Sequence, residues 1–80
     1  MATTLATMAE FEPSPVDLEI RWVVGRADDG LTQTEVTNRF FPNYSPQWVR
    51  ERIRRLALAG MLEIDRTCRP SRVRLPGRRN

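Results

Sequence analysis

The 80-residue chain has no histidine, no lysine and a single cysteine, Cys68. Without histidine, imidazole zinc sites and Ser-His or Cys-His nucleophile pairs are excluded. One cysteine can form neither an internal disulfide nor a thiolate cluster. No apolar run approaches the roughly 20 residues that cross a bilayer. Residues 1–12 contain Glu10 and Glu12 but no basic residue, which is a poor secretory signal. We therefore expect a cytoplasmic protein without metal, cofactor or membrane association.

Catalysis is also poorly supported. A chain of 80 residues buries only about 60% of its extended surface on folding, which leaves little room for an enclosed active site. The acids Asp17, Glu35 and Asp28-Asp29 stand at predicted helix ends, and no glycine-rich phosphate loop occurs. We therefore predict no enzymatic activity and no catalytic residues.

The basic charge consists entirely of arginine and is distributed unevenly. Residues 45–80 carry ten arginines against three acids, a net +7, whereas residues 1–44 carry three arginines against seven acids, a net −4. A GC-rich genome would also favour arginine over lysine. Polarised charge of this kind nevertheless indicates an anionic polymer as partner. The planar guanidinium group makes bidentate contacts with phosphates and guanine edges that lysine cannot make.

Capping signals divide the chain into three helices. Ser14 and Asp17 predict a capping box for a first helix, which Asp28-Asp29-Gly30 should end with Gly30 in the left-handed conformation. Thr32 and Glu35 predict a second capping box, for a helix reaching about residue 40. A third helix is predicted over residues 46–59, capped by Ser45 and ended by Gly60.

The apolar spacing predicts which side of each helix faces the core. The predicted stripes are, in chain order, Val16, Ile20, Val23, Val24 and Ala27, then Val36 and Phe40, then Val49, Ile53, Leu56 and Ala57. After Gly60 the period changes to two, which predicts a hairpin over residues 64–75 with Leu62 and Ile64 inward. Leu31 is expected to pair with this hairpin as a brief edge strand. The predicted organisation is a flexible arm over 1–13, one domain over 14–76 and a basic tail over 77–80.

Helix, short strand, helix, turn, helix and hairpin is the order of a winged helix-turn-helix domain. The residues that carry the likeness are 31–36 and, above all, 45–62. The stretch 49–63, Val-Arg-Glu-Arg-Ile-Arg-Arg-Leu-Ala-Leu-Ala-Gly-Met-Leu-Glu, resembles the recognition helix and following strand of MarR-type and related bacterial or phage regulators. The resemblance implies an α+β fold with three helices and a C-terminal β-hairpin wing. Because the long terminal dimerisation helices of many MarR-type proteins are missing, a minimal phage or mobile-element regulator fits better.

The resemblance also implies which residues contact double-stranded DNA. The third helix would enter the major groove, where an α-helix fits, with the hairpin as wing. On that geometry the expected base contacts are Gln47, Glu51 and Arg52. The expected phosphate contacts are Ser45, Arg50, Arg54 and Arg55, and the expected wing contacts are Arg66, Arg69, Arg72 and Arg74.

Several of these residues have a simpler alternative role. Glu51 precedes Arg55 by four residues, so the two also fit an intrahelical ion pair. Alternating arginines on a strand also occur on ordinary solvent-facing edges. Trp48 is expected to cover the turn over residues 41–44. Cys68 is interpreted as a passive thiol, with a redox switch as the alternative.

Leu18 and Trp22 lie four residues apart, off the core stripe of the first helix. They are predicted to form a dimer or partner surface, covered either by the N-terminal arm with Leu5, Met8 and Phe11 or by a second subunit. The leading hypothesis is a DNA-binding transcriptional regulator, either repressor-like or a recombination-directing factor, acting as a homodimer. The alternative is a phage-encoded winged-helix module that binds a protein partner through its aromatic residues.

Overall fold

The computed structural model describes residues 12–77, which form three helices and one antiparallel sheet. The helices are α1 (Pro15–Gly25), α2 (Gln33–Phe40) and α3 (Pro46–Leu58). The strands are β1 (Leu31–Thr32), β2 (Glu63–Asp65) and β3 (Arg72–Arg74). The predicted α+β class is confirmed. The predicted arm and basic tail lie almost entirely outside the described residues.

All three helices begin at the predicted capping residues. The Ser14 hydroxyl accepts from the Asp17 N–H at 3.2 Å, and the Asp17 carboxylate accepts from the Ser14 N–H at 2.9 Å. Thr32 and Glu35 form the same reciprocal pair at 3.1 and 2.8 Å. The Ser45 hydroxyl accepts a backbone N–H of the first turn of α3 at 3.1 Å. Such caps contribute about 1 kcal/mol each, so the starts of the helices are local properties of the sequence.

The end of α3 is also a local motif. Gly60 has φ +80°, and its N–H donates to the Ala57 carbonyl at 3.0 Å. The Met61 N–H donates to the Leu56 carbonyl at 2.9 Å. These two bonds make a Schellman motif, which satisfies carbonyls at the helix end and turns the chain toward β2.

Helix α1 ends earlier than predicted. Its last residue is Gly25, with Arg26 as cap, and the predicted stop at Asp28-Asp29-Gly30 is therefore wrong in position. The Arg26 and Ala27 N–H groups bond to the carbonyls three residues before them, a tightened turn that completes the helix without a glycine. Gly30 does have the predicted positive φ, at +77°, but it serves the entry into β1.

The sheet has the order β1-β3-β2, so β3 lies in the centre. Val73 pairs with Leu31 on one side and with Ile64 on the other. The predicted edge pairing of Leu31 is confirmed. Val73 is fully buried, whereas its neighbours Arg72 and Arg74 lie on the opposite face of the strand, as period-two alternation requires.

The core joins the predicted helical stripes to the hairpin. It consists of Ile20, Val23, Val24, Val36, Phe40, Val49, Ile53, Leu56, Leu62 and Val73, with Val16, Ile64 and Leu75 partly buried around it. Most of the predicted inward residues are confirmed. Ile64 is only half-buried, because it faces a groove beside α3.

Gly30 also permits a close backbone approach. A Cβ at this position would lie 2.6 Å from the Val73 carbonyl oxygen. Both the positive φ and this contact exclude a side chain, so Gly30 allows the chain before β1 to pass directly beside β3.

Gly30→Ala should destabilise the protein by about 3 kcal/mol. Two costs combine here, because alanine is strained at a positive φ and its Cβ would overlap the Val73 carbonyl oxygen. Gly60→Ala is the matched control. Gly60 has φ +80° but no atom within 4 Å of the added Cβ, so we expect a loss of about 1 kcal/mol there. Urea denaturation of the two variants measures the difference, and equal losses would contradict the close approach.

Candidate nucleic-acid interface

A groove runs between the exposed side of α3 and the hairpin. It has a volume of about 320 Å³ and is lined by Gln33, Gln47, Arg50, Glu51, Arg54, Ile64 and Arg66. A second recess of about 260 Å³ shares Gln33 and Arg50 and continues along Thr32, Thr34, Pro70 and Ser71. Because they share these two residues, the recesses form one concave surface, which we call the α3–hairpin groove.

The sequence of α3 determines which of its residues reach this groove. Val49, Ile53 and Leu56 are fully buried, which directs the opposite side of the helix outward. Gln47, Arg50, Glu51 and Arg54 then lie along the groove. Four of the seven residues predicted from α3 and its cap therefore line one surface.

Arg50 links α3 to the start of α2. Its Nη2 donates to the Thr34 hydroxyl at 3.1 Å, which leaves its remaining N–H groups exposed to solvent. Gln33 and Thr34 were missed as candidate site residues. The capping box placed both of them in the first turn of α2, and only the packing of α2 against α3 brings them to the groove.

Glu51 is held by two arginines of its own helix. Its carboxylate accepts from Arg54 Nη2 at 3.1 Å and from Arg55 Nε at 3.3 Å. These hydrogen bonds, from Arg54 first and Arg55 second, lower the pKa of Glu51 below its usual value. The ion pair given as the alternative role of Glu51 is therefore present. The carboxylate aligns two arginines, and the predicted base contact would have to share it with them.

Arg52 faces Asp17 on α1 and does not line the α3–hairpin groove. Its Nε donates to Asp17 Oδ1 at 2.9 Å and its Nη2 donates to Asp17 Oδ2. Its side chain is 19% exposed and that of Asp17 is fully buried. The guanidinium is thus engaged bidentately with α1, and the prediction that Arg52 reads a base is corrected to a structural role.

The Asp17 carboxylate is fully satisfied inside the fold. Burial alone would raise its pKa, but the hydrogen bonds from Arg52 and from the Ser14 backbone N–H outweigh burial, and the pKa of Asp17 is lowered. A buried charge is tolerated only with such partners. Asp17 therefore caps α1 and also fixes α1 to α3.

Two of the four predicted wing arginines brace the sheet. Arg72 donates to the Gly30 carbonyl at 3.1 Å. Arg74 donates to the Asp29 carbonyl at 2.6 Å and to Asp65 Oδ2 at 3.2 Å. The guanidinium groups of Arg72 and Arg74 therefore bind the chain itself, and the DNA contact of these two residues stays a prediction.

Arg66 and Arg69 remain as the outward-facing residues of the hairpin loop. Both are exposed, and neither forms an ion pair or side-chain hydrogen bond within residues 12–77. At the base of the loop, the Thr67 hydroxyl, the Thr67 N–H and Arg74 donate to Asp65 and lower its pKa to about 2. The loop is thereby anchored while its two arginines face solvent.

The aromatic residues lie beside the groove rather than in it. The ring of Trp48 stacks on Tyr44 with centroids 4.7 Å apart, and Tyr44 meets Phe40 edge-on at 6.5 Å. The prediction that Trp48 covers the turn before α3 is confirmed. Cys68 is half-buried, with its Sγ 3.8 Å from Asp65 Oδ2.

Leu18 and Trp22 form an exposed apolar surface on α1. Their side chains are 50% and 61% exposed, and the Arg26 guanidinium lies 4.7 Å from the centre of the Trp22 ring. Within the described part of the chain no apolar residue covers them. Leu5, Met8 and Phe11, the predicted cover, lie outside the described residues.

No protein-family model, curated protein or solved structure matches this chain. None of the helices within residues 12–77 is long and apolar enough to span a membrane. Over the same residues no cluster of three or more Cys, Asp or Glu side chains is placed to hold a metal ion. The candidate interface at the α3–hairpin groove therefore rests on geometry and charge.

Arg52→Met should destabilise the protein by about 3 kcal/mol at pH 7, because it leaves the buried Asp17 carboxylate without its partner. Arg54→Met, an exposed residue of the same helix, is the control, with an expected change within about 0.5 kcal/mol. Urea denaturation measures both, and equal effects would contradict the structural role of Arg52.

The loss of stability caused by Arg52→Met should be smaller at low pH than at pH 7. In the wild-type protein the pKa of Asp17 is lowered, so its contribution is present above the unfolded value of about 3.8 and is lost as the pH falls through the folded value. In the variant, burial without Arg52 raises the pKa of Asp17, so acid favours the folded variant by protonating this carboxyl. We expect the difference in free energy of unfolding between the wild type and Arg52→Met, measured by urea denaturation, to be smaller at pH 4 than at pH 7.

Proposed function

We propose that this protein is a winged helix-turn-helix DNA-binding regulator, repressor-like or recombination-directing. In this proposal α3 is the recognition helix in the major groove and the β2–β3 hairpin is the wing. The element order and the pairing of β1 with the hairpin support this fold assignment. The observation that carries the function is the α3–hairpin groove, which sets Arg50 and Arg54 of the helix opposite Arg66 of the hairpin loop.

The dimensions of an α-helix suit the proposed docking. With its side chains it is about 10–12 Å across, and the major groove of B-DNA is about 12 Å wide. The residues of α3 that line the groove are polar or charged, and its buried residues Val49, Ile53 and Leu56 face the core. Insertion would therefore bury donors against DNA acceptors without removing core contacts.

The proposed phosphate contacts are the arginines that keep N–H groups free of hydrogen bonds within the described part of the chain. Arg66 and Arg69 have no charged partner within residues 12–77, and Arg50, Arg54 and Arg55 keep exposed N–H groups beyond their internal bonds. The Ser45 hydroxyl accepts one backbone N–H and can still donate to a phosphate. Phosphate contacts of this kind set register on the duplex and carry no sequence information.

Duplex binding should weaken steeply with salt. If five to eight phosphates are contacted, log affinity falls against log salt concentration with a slope of about −5 to −7. Arg66→Ala and Arg69→Ala should each reduce the steepness by about 1. Fluorescence anisotropy with random duplex DNA at several salt concentrations measures these slopes.

Arg26→Ala is the matched control for those variants. It removes the same charge from α1, where the guanidinium lies over Trp22 and outside the groove, so the slope should not change. A wild-type slope near zero would sink the DNA-binding proposal.

A protein-interaction module is the second candidate function. The exposed rings of Trp22, Phe41 and Trp48, which are 61%, 62% and 39% exposed, favour it, because aromatic residues anchor protein interfaces. Absence of duplex binding at low salt would select this candidate over the first.

We also propose that the regulator is a homodimer joined through Leu18 and Trp22, since two-fold dimers suit paired DNA half-sites. Light scattering should give twice the 9.3 kDa chain mass for the wild-type protein and the single mass for a folded Trp22→Glu variant. Leu58→Glu places the same charge on another exposed apolar residue, 75% exposed on α3, and should remain dimeric. Identical masses for the wild type and Trp22→Glu would contradict the proposed interface.

A further inference from the structure

Two glutamine amides in the α3–hairpin groove are not used by the fold. Gln33 is the first residue of α2 and is half-buried, and Gln47 is the second residue of α3 and is exposed. Neither side chain hydrogen bonds with another residue between 12 and 77. Each amide therefore presents both a free donor and a free acceptor to the groove.

The other polar side chains of the 320 Å³ part of the groove are less suited to reading adenine. Glu51 accepts from Arg54, and Arg50 donates to Thr34. Arg66 is unengaged but lies in the hairpin loop, opposite α3. The arginines carry donors alone and therefore suit phosphates and guanine edges, whereas the two glutamines alone combine donor and acceptor.

Adenine and guanine present different hydrogen-bonding groups in the major groove, so a glutamine amide can distinguish them. Adenine presents an acceptor, N7, beside a donor, N6–H₂, and one carboxamide satisfies both. Guanine presents two acceptors, which a single carboxamide cannot pair bidentately. A glutamine that enters the major groove from α2 or α3 therefore favours adenine.

We infer that Gln47 and Gln33 are the specificity-determining residues of the groove and that each selects an A·T base pair. This inference rests on the proposed DNA binding. Gln47, exposed on the inserted helix, reads one adenine. Gln33, which enters the same groove from the neighbouring helix, reads a second. Each half-site then contains two A·T positions that depend on different helices.

The test is selection of preferred sites from a randomised duplex library, followed by anisotropy on the enriched duplex and its single-base variants. The wild type should prefer A·T to G·C at two positions of each half-site by about tenfold each. Gln47→Ala should lose the preference at one position and Gln33→Ala at the other. Both variants should keep the wild-type salt slope on random duplex, because no phosphate contact changes.

Two further variants sharpen the result. Asn38→Ala removes an exposed amide from α2 outside the groove and should leave both preferences intact. Gln47→Glu replaces the donor of the amide by an acceptor, so its preference should move toward cytosine, whose N4–H₂ is a donor. This change of preference, unlike a loss of binding, cannot result from a failure to fold.

The outcomes separate the inference from the proposed function. If the wild type binds no duplex at low salt, DNA binding itself is overturned. If it binds random duplex with a steep salt slope but shows no A·T preference, or shows one that both glutamine variants retain, the proposed function stands and the assignment of Gln33 and Gln47 is overturned.

Discussion

The bidentate pair between Asp17 and Arg52 is the constraint on which the arrangement of the helices depends. Asp17 is fully buried and belongs to the first turn of α1, and Arg52 lies in the middle of α3. A buried carboxylate without its guanidinium would cost several kcal/mol, so the pair specifies one relative position of the two helices. In that position Val49, Ile53 and Leu56 face the core, and the outward side of α3 lines the α3–hairpin groove.

The arginines of this chain divide into those that hold the fold and those that face solvent. Arg52, Arg72 and Arg74 donate to buried or backbone acceptors, so their guanidinium groups are engaged within the fold. Arg66 and Arg69 have no such acceptor within residues 12–77. The net +7 of residues 45–80 therefore overstates the charge that is free at the surface. Arg50 and Arg54 on α3 and Arg66 on the hairpin loop lie along one groove, and this arrangement supports the proposed interaction with duplex DNA.

Much of the architecture could be predicted because its determinants are local. Capping boxes at Ser14 and Thr32 and the glycine at position 60 act within four residues of chain. The alternation around Val73 also depends on immediate neighbours. The end of α1 was misplaced because a tightened last turn completed it before the glycine that was expected to end it. The free groove residues Gln47 and Arg66 could be named from composition and period alone.

The sequence by itself determined the helix starts, the core stripes and the concentration of arginine in the second half. Only the tertiary structure decided which arginines bind acceptors within the fold. Asp17 and Arg52 are 35 residues apart, Arg72 and Gly30 are 42 apart, and Arg74 and Asp29 are 45 apart. No periodicity links such partners. A guanidinium group looks the same in the sequence whether it meets a buried carboxylate, a carbonyl or solvent, and the packing of distant elements selects among these.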